Sequence, residues 1–331
     1  MTSEPPKTPP VDPLVEGLSS FLSPEYAPLL KSHTMANFAR MWMALMMGSR
    51  EPLIGSAEIS NTCNLNCRHC YWRADRSTEP ELRVEEWRTV IRREFKDRGV
   101  RGISISGGEP LLREDVIRMV LDEGLHPWVF TNGTLPLPDL PLTYCVSIDG
   151  IEKNHDEIRG RGSYQKARRN ILSAPHDGVF LNVTINSLNR NDPAALVEKW
   201  KGKVRKISFG LHTPLAAEDP LWIPFGPERD AVVADLLRLK CEHPDFLFNT
   251  EGQLRLMKTE AWSKECPTWF LLSLDSAGRK KRCALGEKAI CRGCGSDCYT
   301  GVSSGLQGDI LEWLKNILEL FLEPKPRLRF G

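Results

Sequence analysis

The chain has 331 residues, 41% hydrophobic and 26% charged, enough for a sizeable core in one large or two modest domains. A formal net charge of +1 leaves no electrostatic footprint for nucleic acid, and no apolar run is long enough to span a bilayer. Ten cysteines without an export signal argue against a disulfide framework and for thiols that serve a metal in a reducing, cytoplasmic compartment.

Residues 1–13 are polar and proline-rich, read as a disordered arm, and lack the apolar core of a signal peptide. Residues 33–50 place Phe38, Met41, Trp42, Leu45 and Met46 on one helical face. That helix either packs on the main domain or touches a lipid surface or an apolar substrate. Residues 1–50 thus form an arm with an amphipathic helix.

From residue 52 strands and helices alternate. Strands are predicted at 52–60, 100–106, 126–130, 143–148, 179–185 and 204–211, with 245–249 as a candidate for one more. Helices are predicted at 83–99, 113–123, 163–173 (capped by Ser163), 192–201 and 227–241. This rhythm implies an α/β fold, a partial (βα)6 TIM-like barrel over residues 51–250. In such barrels the loops after the strands carry the chemistry. Cys63 to Cys70, Gly107 to Glu109, Thr131 to Gly133, and Asp149 with Gly150 all fall there.

Beyond residue 250 the rhythm breaks, and residues 251–331 read as a small cysteine-rich extension. The basic run Arg279 to Arg282 reads as a solvated turn. Residues 308–324 read as a helix with Asp309 as N-cap, Glu312 closing a capping box and Pro324 as its stop. Its broad apolar face, followed by Lys325, Arg327 and Arg329, suits packing on the domain or contact with the inner face of a membrane.

Cys145 and Cys241 stand alone and read as buried core thiols. The other eight form two groups. Cys63, Cys67 and Cys70 sit in one short loop with no fourth cysteine nearby. A structural zinc site and an ordinary iron–sulfur cluster each take four ligands. His69 offers a fourth, but ligation beside Cys70 in the same turn would be strained. A [4Fe-4S] cluster on three thiolates instead leaves one iron free for a chelating small molecule.

This loop, placed after the first barrel strand and followed by an aromatic residue, resembles the cluster loop of the radical S-adenosylmethionine (SAM) enzymes. Residues 106–110, Ser-Gly-Gly-Glu-Pro, resemble that family's SAM-amine turn. The resemblance implies that Gly107, Gly108 and Glu109 meet the SAM ammonium, Glu109 as a negatively charged acceptor. It also implies that Asn132 and Asp149 border the ribose and substrate, that Arg159 pairs with the SAM carboxylate, and that residues 182–186 line the adenosine site. Tyr71 is expected beside the cluster or the adenine, and His69 as a bystander. The implied chemistry is reductive cleavage of SAM to a 5′-deoxyadenosyl radical. A reducing partner such as flavodoxin or ferredoxin is implied too, and no nucleic acid.

The second group, Cys266, Cys283, Cys291, Cys294 and Cys298, offers five thiols, of which four are expected to hold an auxiliary [4Fe-4S] cluster, or alternatively zinc. The dense trio Cys291, Cys294 and Cys298 leads, with Cys283 as fourth and Cys266 as competitor. This spacing resembles the adenosylhopane synthase-like subgroup, and more loosely the SPASM and twitch maturases. With the apolar terminal helices, it implies a hydrophobic or lipid-like substrate. The alternatives are modification of a ribosomally made peptide or protein and, outside enzymes, an iron–sulfur electron-transfer or scaffold protein.

Overall fold

Alternation of side chains along the strands sets the architecture. In β1 (Ile54–Ser60) and β2 (Gly102–Gly107), Ser56, Ser104 and Ser106 face one side and line a cavity, while Ala57, Ile59, Ile103 and Ile105 face the other and enter the core. The same period-two pattern continues through β3 (His126–Thr131), β4 (Thr143–Ser147), β5 (Val179–Ile185) and β6 (Lys206–Leu211). These six strands pair in parallel, each beside its predecessor. A computed structural model describes residues 48, 50–321 and 324–327, so the expected N-terminal arm and all of the expected helix at 33–50 but residues 48 and 50 lie outside the described residues.

The outer face is covered by helices whose apolar stripes supply the other half of the core. After the short α1 (Tyr71–Asp75) come α2 (Val84–Glu94), α3 (Glu114–Asp122), α4 (Glu152–Arg159), α5 (Ser163–Leu172), α6 (Pro193–Trp200), α7 (Pro227–Glu242) and α8 (Glu251–Leu256). Trp87 and Ile91 of α2, Val116 and Val120 of α3, and Leu196 and Trp200 of α6 are buried in it. Helix α4 is not anticipated by periodicity, because Ile158 is its single aliphatic residue.

The stretch 245–249 is not a strand. It makes one parallel bridge, Ile207 to Leu247, and then the side-chain amide of Asn249 takes over, accepting from Phe209 N at 2.8 Å and donating to Phe209 O at 2.9 Å. An asparagine side chain there does a strand's work for β6.

The extension is not a separate body. Its strand β7 (Leu271–Leu274) pairs in parallel with β1 on the edge away from β2, and β8 (Lys280–Lys281) turns back antiparallel on β7. Lys281, expected in a solvated turn, is half-buried, and its largely covered side chain reaches Glu58 Oε1 of β1 at 2.6 Å. Helix α9 (Asp297–Ser304) then lies against the inner side of the sheet, where Ser208 Oγ donates to Asp297 Oδ2 at 2.8 Å. From Tyr299 to Ser304 every residue of α9 is buried, as befits a helix enclosed on all sides.

The last helix, α10 (Ile310–Leu320), spends its apolar face on the barrel. Trp313 meets Phe270 edge to face at 5.5 Å, and Phe321 packs so closely under β2 that a Cβ on Gly102 would lie 2.4 Å from its ring. Of the two roles this segment suited, packing on the domain is the one its contacts support. The expected capping box is also absent: Asp309 accepts from Ser304 Oγ at 2.6 Å, and Glu312 pairs with Lys240 at 2.8 Å. Cys145 is buried in β4, whereas Cys241 is exposed, since the buried stripe of α7 runs through Val232, Val233, Leu236, Leu239 and Lys240 and leaves it outside.

Removing the buried indole in Trp313→Ala is expected to cost about 3–5 kcal/mol in urea unfolding. Leu311→Ala, at the 66% exposed position of the same helix, should change stability by no more than about 0.5 kcal/mol. Equal, small effects at both positions would mean that α10 is not part of the core.

Candidate active site

The three-cysteine loop begins where β1 ends and is pinned from three directions. Gly108 N donates to Ser60 O at 2.9 Å and Glu109 N to Thr62 O at 2.8 Å, which lays the turn after β2 along the base of the loop. A Cβ on Gly108 would stand 2.1 Å from Thr62 O, and one on Gly107, at φ +117°, 2.6 Å from Ser60 O. These glycines are thus required by contact between backbone segments. On the second side Asn132 Nδ2 donates to Asn64 Oδ1 at 2.8 Å and Asn64 Nδ2 to Thr134 Oγ1 at 2.9 Å. On the third, Arg68 N donates to Ile158 O of α4 at 2.9 Å.

Held in this way, Cys63, Cys67 and Cys70 line a cavity of about 230 Å³ at the carboxyl ends of the strands, together with Gly107, Gly108, Asn132 and Arg159. Two sulfurs accept backbone N–H groups, Cys63 from Leu65 at 3.5 Å and Cys70 from Arg73 at 3.4 Å, the latter as N-cap of α1. Burial raises all three thiols above the usual range. A cation that accepts thiolates would offset that cost. Three thiols around a roomy cavity fit a cluster with one open corner.

Two carboxylates expected at the cofactor are occupied elsewhere. Glu109 is fully buried: Oε1 accepts from Thr131 Oγ1 at 2.7 Å and Leu111 N at 3.0 Å, and Oε2 from Asn132 N at 2.8 Å. With those donors it fastens the turns after β2 and β3, and it is absent from the cavity lining. Asp149 is likewise fully buried, and its Oδ2 accepts from Arg159 Nε at 2.5 Å. Burial alone would raise its carboxyl, but Arg159 and His69 beside it hold it below the usual range. Arg159 itself does line the cavity, aimed by Asp149.

His69 lies 3.3 Å from Asp149 Oδ2, and burial brings its pKa down to about 4, so it is neutral at ordinary pH. Tyr71 lines the same cavity, and burial raises its phenol strongly. Sequence reasoning missed His212, which lines the cavity and pairs with Asp219 at 2.9 Å. A lone histidine after β6 carried no motif that would mark it.

The second cysteine group divides. Cys266, Cys283, Cys291 and Cys294 line a second cavity of about 190 Å³, where Arg282 Nη2 donates to Cys291 Sγ at 3.1 Å. Burial, reinforced by the neighbouring thiols, pushes Cys266 up to about 12. Among the described residues no three His, Cys, Asp or Glu side chains converge as a single ion requires. Zinc–sulfur bonds of about 2.3 Å would draw the sulfurs to within about 4 Å of one another. Four thiols spaced around a cavity suit a cluster better. Cys298 does not line this cavity but the first one, so the expected trio of Cys291, Cys294 and Cys298 is divided between two cavities and Cys266 lies with Cys283, Cys291 and Cys294.

A family profile described as Radical SAM superfamily matches residues 57–192, from β1 to the threshold of α6. Fe-coproporphyrin III synthase of Methanosarcina barkeri is 34% identical over 167 residues, 46% of this chain and 42% of that protein. The sporulation killing factor maturation protein SkfB of Bacillus subtilis is 29% identical over 163 residues, 45% of this chain and 39% of SkfB. The chain therefore spans about two fifths of the length of these relatives. The match to a probable GTP 3′,8-cyclase of Archaeoglobus fulgidus is longer, 32% identical over 254 residues, 70% of this chain and 86% of that one. Among solved structures, Streptococcus suis SuiB bound to precursor peptide SuiA shares the fold, with a TM-score of 0.56 at 17% identity over 76% of this chain and 64% of that one. On the profile match and the likeness to nearly the whole of the cyclase, this chain belongs to the radical SAM superfamily.

Proposed function

We propose that this radical SAM enzyme modifies a peptide or protein and that the group presented to the cavity is an apolar side chain. The observation that carries the reading is the shape of the site. The cavity of the three cysteines continues past Asp297 and Cys298 into a chamber of about 100 Å³ walled by Phe130, Phe180, Phe248, Trp313 and Ile317. A chamber of that size and lining seats one apolar side chain. SkfB is by its name a maturation protein of the sporulation killing factor, and AlbA of the same Bacillus serves biosynthesis of the bacteriocin subtilosin, which supports a peptide over a lipid. The lipid reading rested on the spacing of the second cysteine group and on two terminal helices. One helix lies outside the described residues but for 48 and 50, and the other packs inside.

Family membership brings a [4Fe-4S] cluster and SAM, which supply one-electron cleavage of the sulfonium and a carbon radical able to take a hydrogen from an unactivated position. The chain's own part is placement. Cys63, Cys67 and Cys70 offer three thiolates and leave a fourth corner open. Arg159, braced at Nε by Asp149, offers the rest of its guanidinium to a carboxylate. The backbone of Gly107 and Gly108 and the edge of Asn132 are the polar rim for the amine and ribose. Cys266, Cys283, Cys291 and Cys294 hold the auxiliary cluster, and a donor of the flavodoxin or ferredoxin class supplies electrons.

A second reading follows from the long match to the GTP cyclase. It asks the cavity to neutralise a triphosphate. Among the described residues that line it, Arg159 is the only lysine or arginine, and it already faces Asp149. That weighs against a nucleotide.

Reconstituted protein is expected to carry about eight irons per chain, falling to about four in the triple variant Cys63→Ala, Cys67→Ala, Cys70→Ala, which should form no 5′-deoxyadenosine. Iron and sulfide analysis with product chromatography reads both. For the substrate, the enzyme with SAM and reductant should convert a peptide encoded by a small open reading frame beside its own gene into a product that separates from it by chromatography. Turnover of GTP or of a lipid extract, with such peptides untouched, would overturn the peptide reading.

A further inference from the structure

Cys298 is set apart from the four cysteines with which it shares a segment. It lies in the first turn of α9, lines both the cavity of Cys63, Cys67 and Cys70 and the apolar chamber, and has Asp297 and Cys145 as its charged and thiol neighbours. The other four surround their own cavity, in which Cys298 takes no part. Tyr71, adjoining Cys70 in sequence, lines the same cavity as Cys298. The exposed surface of Cys298 is therefore surface turned into the cavity.

We propose that Cys298 is a catalytic hydrogen-atom donor to a carbon radical generated at the mouth of the apolar chamber. This rests on the chain's place in the radical SAM superfamily and adds to the peptide reading a statement of how the modified side chain is released. In the step, the S–H bond of Cys298 breaks and a C–H bond forms on the substrate carbon, because an S–H bond is weaker than the C–H bond it replaces. The sulfur is left as a thiyl radical. One electron from the same low-potential donor that serves the first cluster, and one proton from Asp297, restore the thiol. Asp297 then recovers its proton from solvent. Each turnover thus takes one electron to cleave SAM and a second to reset Cys298, and the substrate leaves neither oxidised nor reduced.

The surroundings suit this role. Burial lifts the Cys298 thiol well above its usual range, so it holds its hydrogen, and burial also raises the carboxyl of Asp297, which keeps a proton at hand. Ser208 Oγ fixes that carboxyl at 2.8 Å. Cys298 and Asp297 line both the chamber and the cofactor cavity, so a side chain seated in the chamber passes them where the two spaces join.

The test needs no substrate. Reconstituted enzyme is given SAM and dithionite in D2O with no added thiol, and the 5′-deoxyadenosine formed by uncoupled cleavage is weighed by mass spectrometry. Wild type should yield mainly product with one deuterium, taken from the exchanged S–D of Cys298. Cys298→Ser, whose O–H bond is too strong to give up its hydrogen, should show at least a tenfold drop in label while still cleaving SAM. Cys145→Ala, which removes the neighbouring thiol, should keep the label. Iron and sulfide per chain are measured in parallel on each protein and should be unchanged in Cys298→Ser.

Unlabelled product from wild type, or undiminished label in Cys298→Ser, overturns the proposal. Loss of about half the iron in Cys298→Ser would also overturn it, by making Cys298 a cluster ligand. A failure of any of these kinds with peptide still modified leaves the peptide reading intact, and labelled product with no peptide accepted does the reverse.

Discussion

A charge buried without solvent must be answered on every side. In this fold that charge is Asp149. Its Oδ1 accepts from Thr184 N at 2.8 Å, its Oδ2 from Arg159 Nε at 2.5 Å, and its backbone carbonyl from Asn189 Nδ2 at 2.8 Å. Its own N–H donates to His155 Nδ1 at 3.1 Å. One residue at the end of β4 therefore ties β5, α4 and, through His69, the cysteine loop into one assembly. Glu109 does the same for the turns after β2 and β3. The two acids of the motifs act as fasteners behind the site, and the groups that reach the cavity are the arginine, the amide and the backbone they fasten.

This explains where sequence reading succeeded and where it failed. The strands were legible because each is a short apolar run with a period of two, and β5 falls on its expected bounds of 179–185. The cavity's position was legible because every motif follows a strand. The direction in which Glu109 and Asp149 point was not, since a motif records which residue stands at a place and is silent on whether it faces ligand or protein. The fate of the second cysteine group was hidden for a related reason. Spacing alone favoured Cys291, Cys294 and Cys298 as one set, yet Asp297 opens a helix that carries Cys298 away from Cys294. Strand β7 was missed because four residues give too little alternation to recognise.

The barrel interior is unlike that of a closed barrel filled with branched side chains. Ser56, Ser104, Ser106 and Ser208 line it on β1, β2 and β6, and small polar side chains leave the room the cavities occupy. The aromatic wall is largely supplied from β3, β5 and the C-terminal helices. Polar and apolar halves of the lumen thus come from different parts of the chain, the polar half from the strand ends and the apolar half substantially from the extension. Divergence in the extension can then reshape the apolar half while the polar half is kept.

The place of β7 and α9 has a consequence for assembly. Synthesis runs from the N-terminus, yet β1 waits for β7, and Glu58 waits for Lys281, 223 residues downstream. Six strands can pair as they emerge, but the lumen has no inner wall until the last helices are made. Contacts so distant in sequence close late. During that interval the first cysteine loop lies in an open trough that the helices of the extension later close.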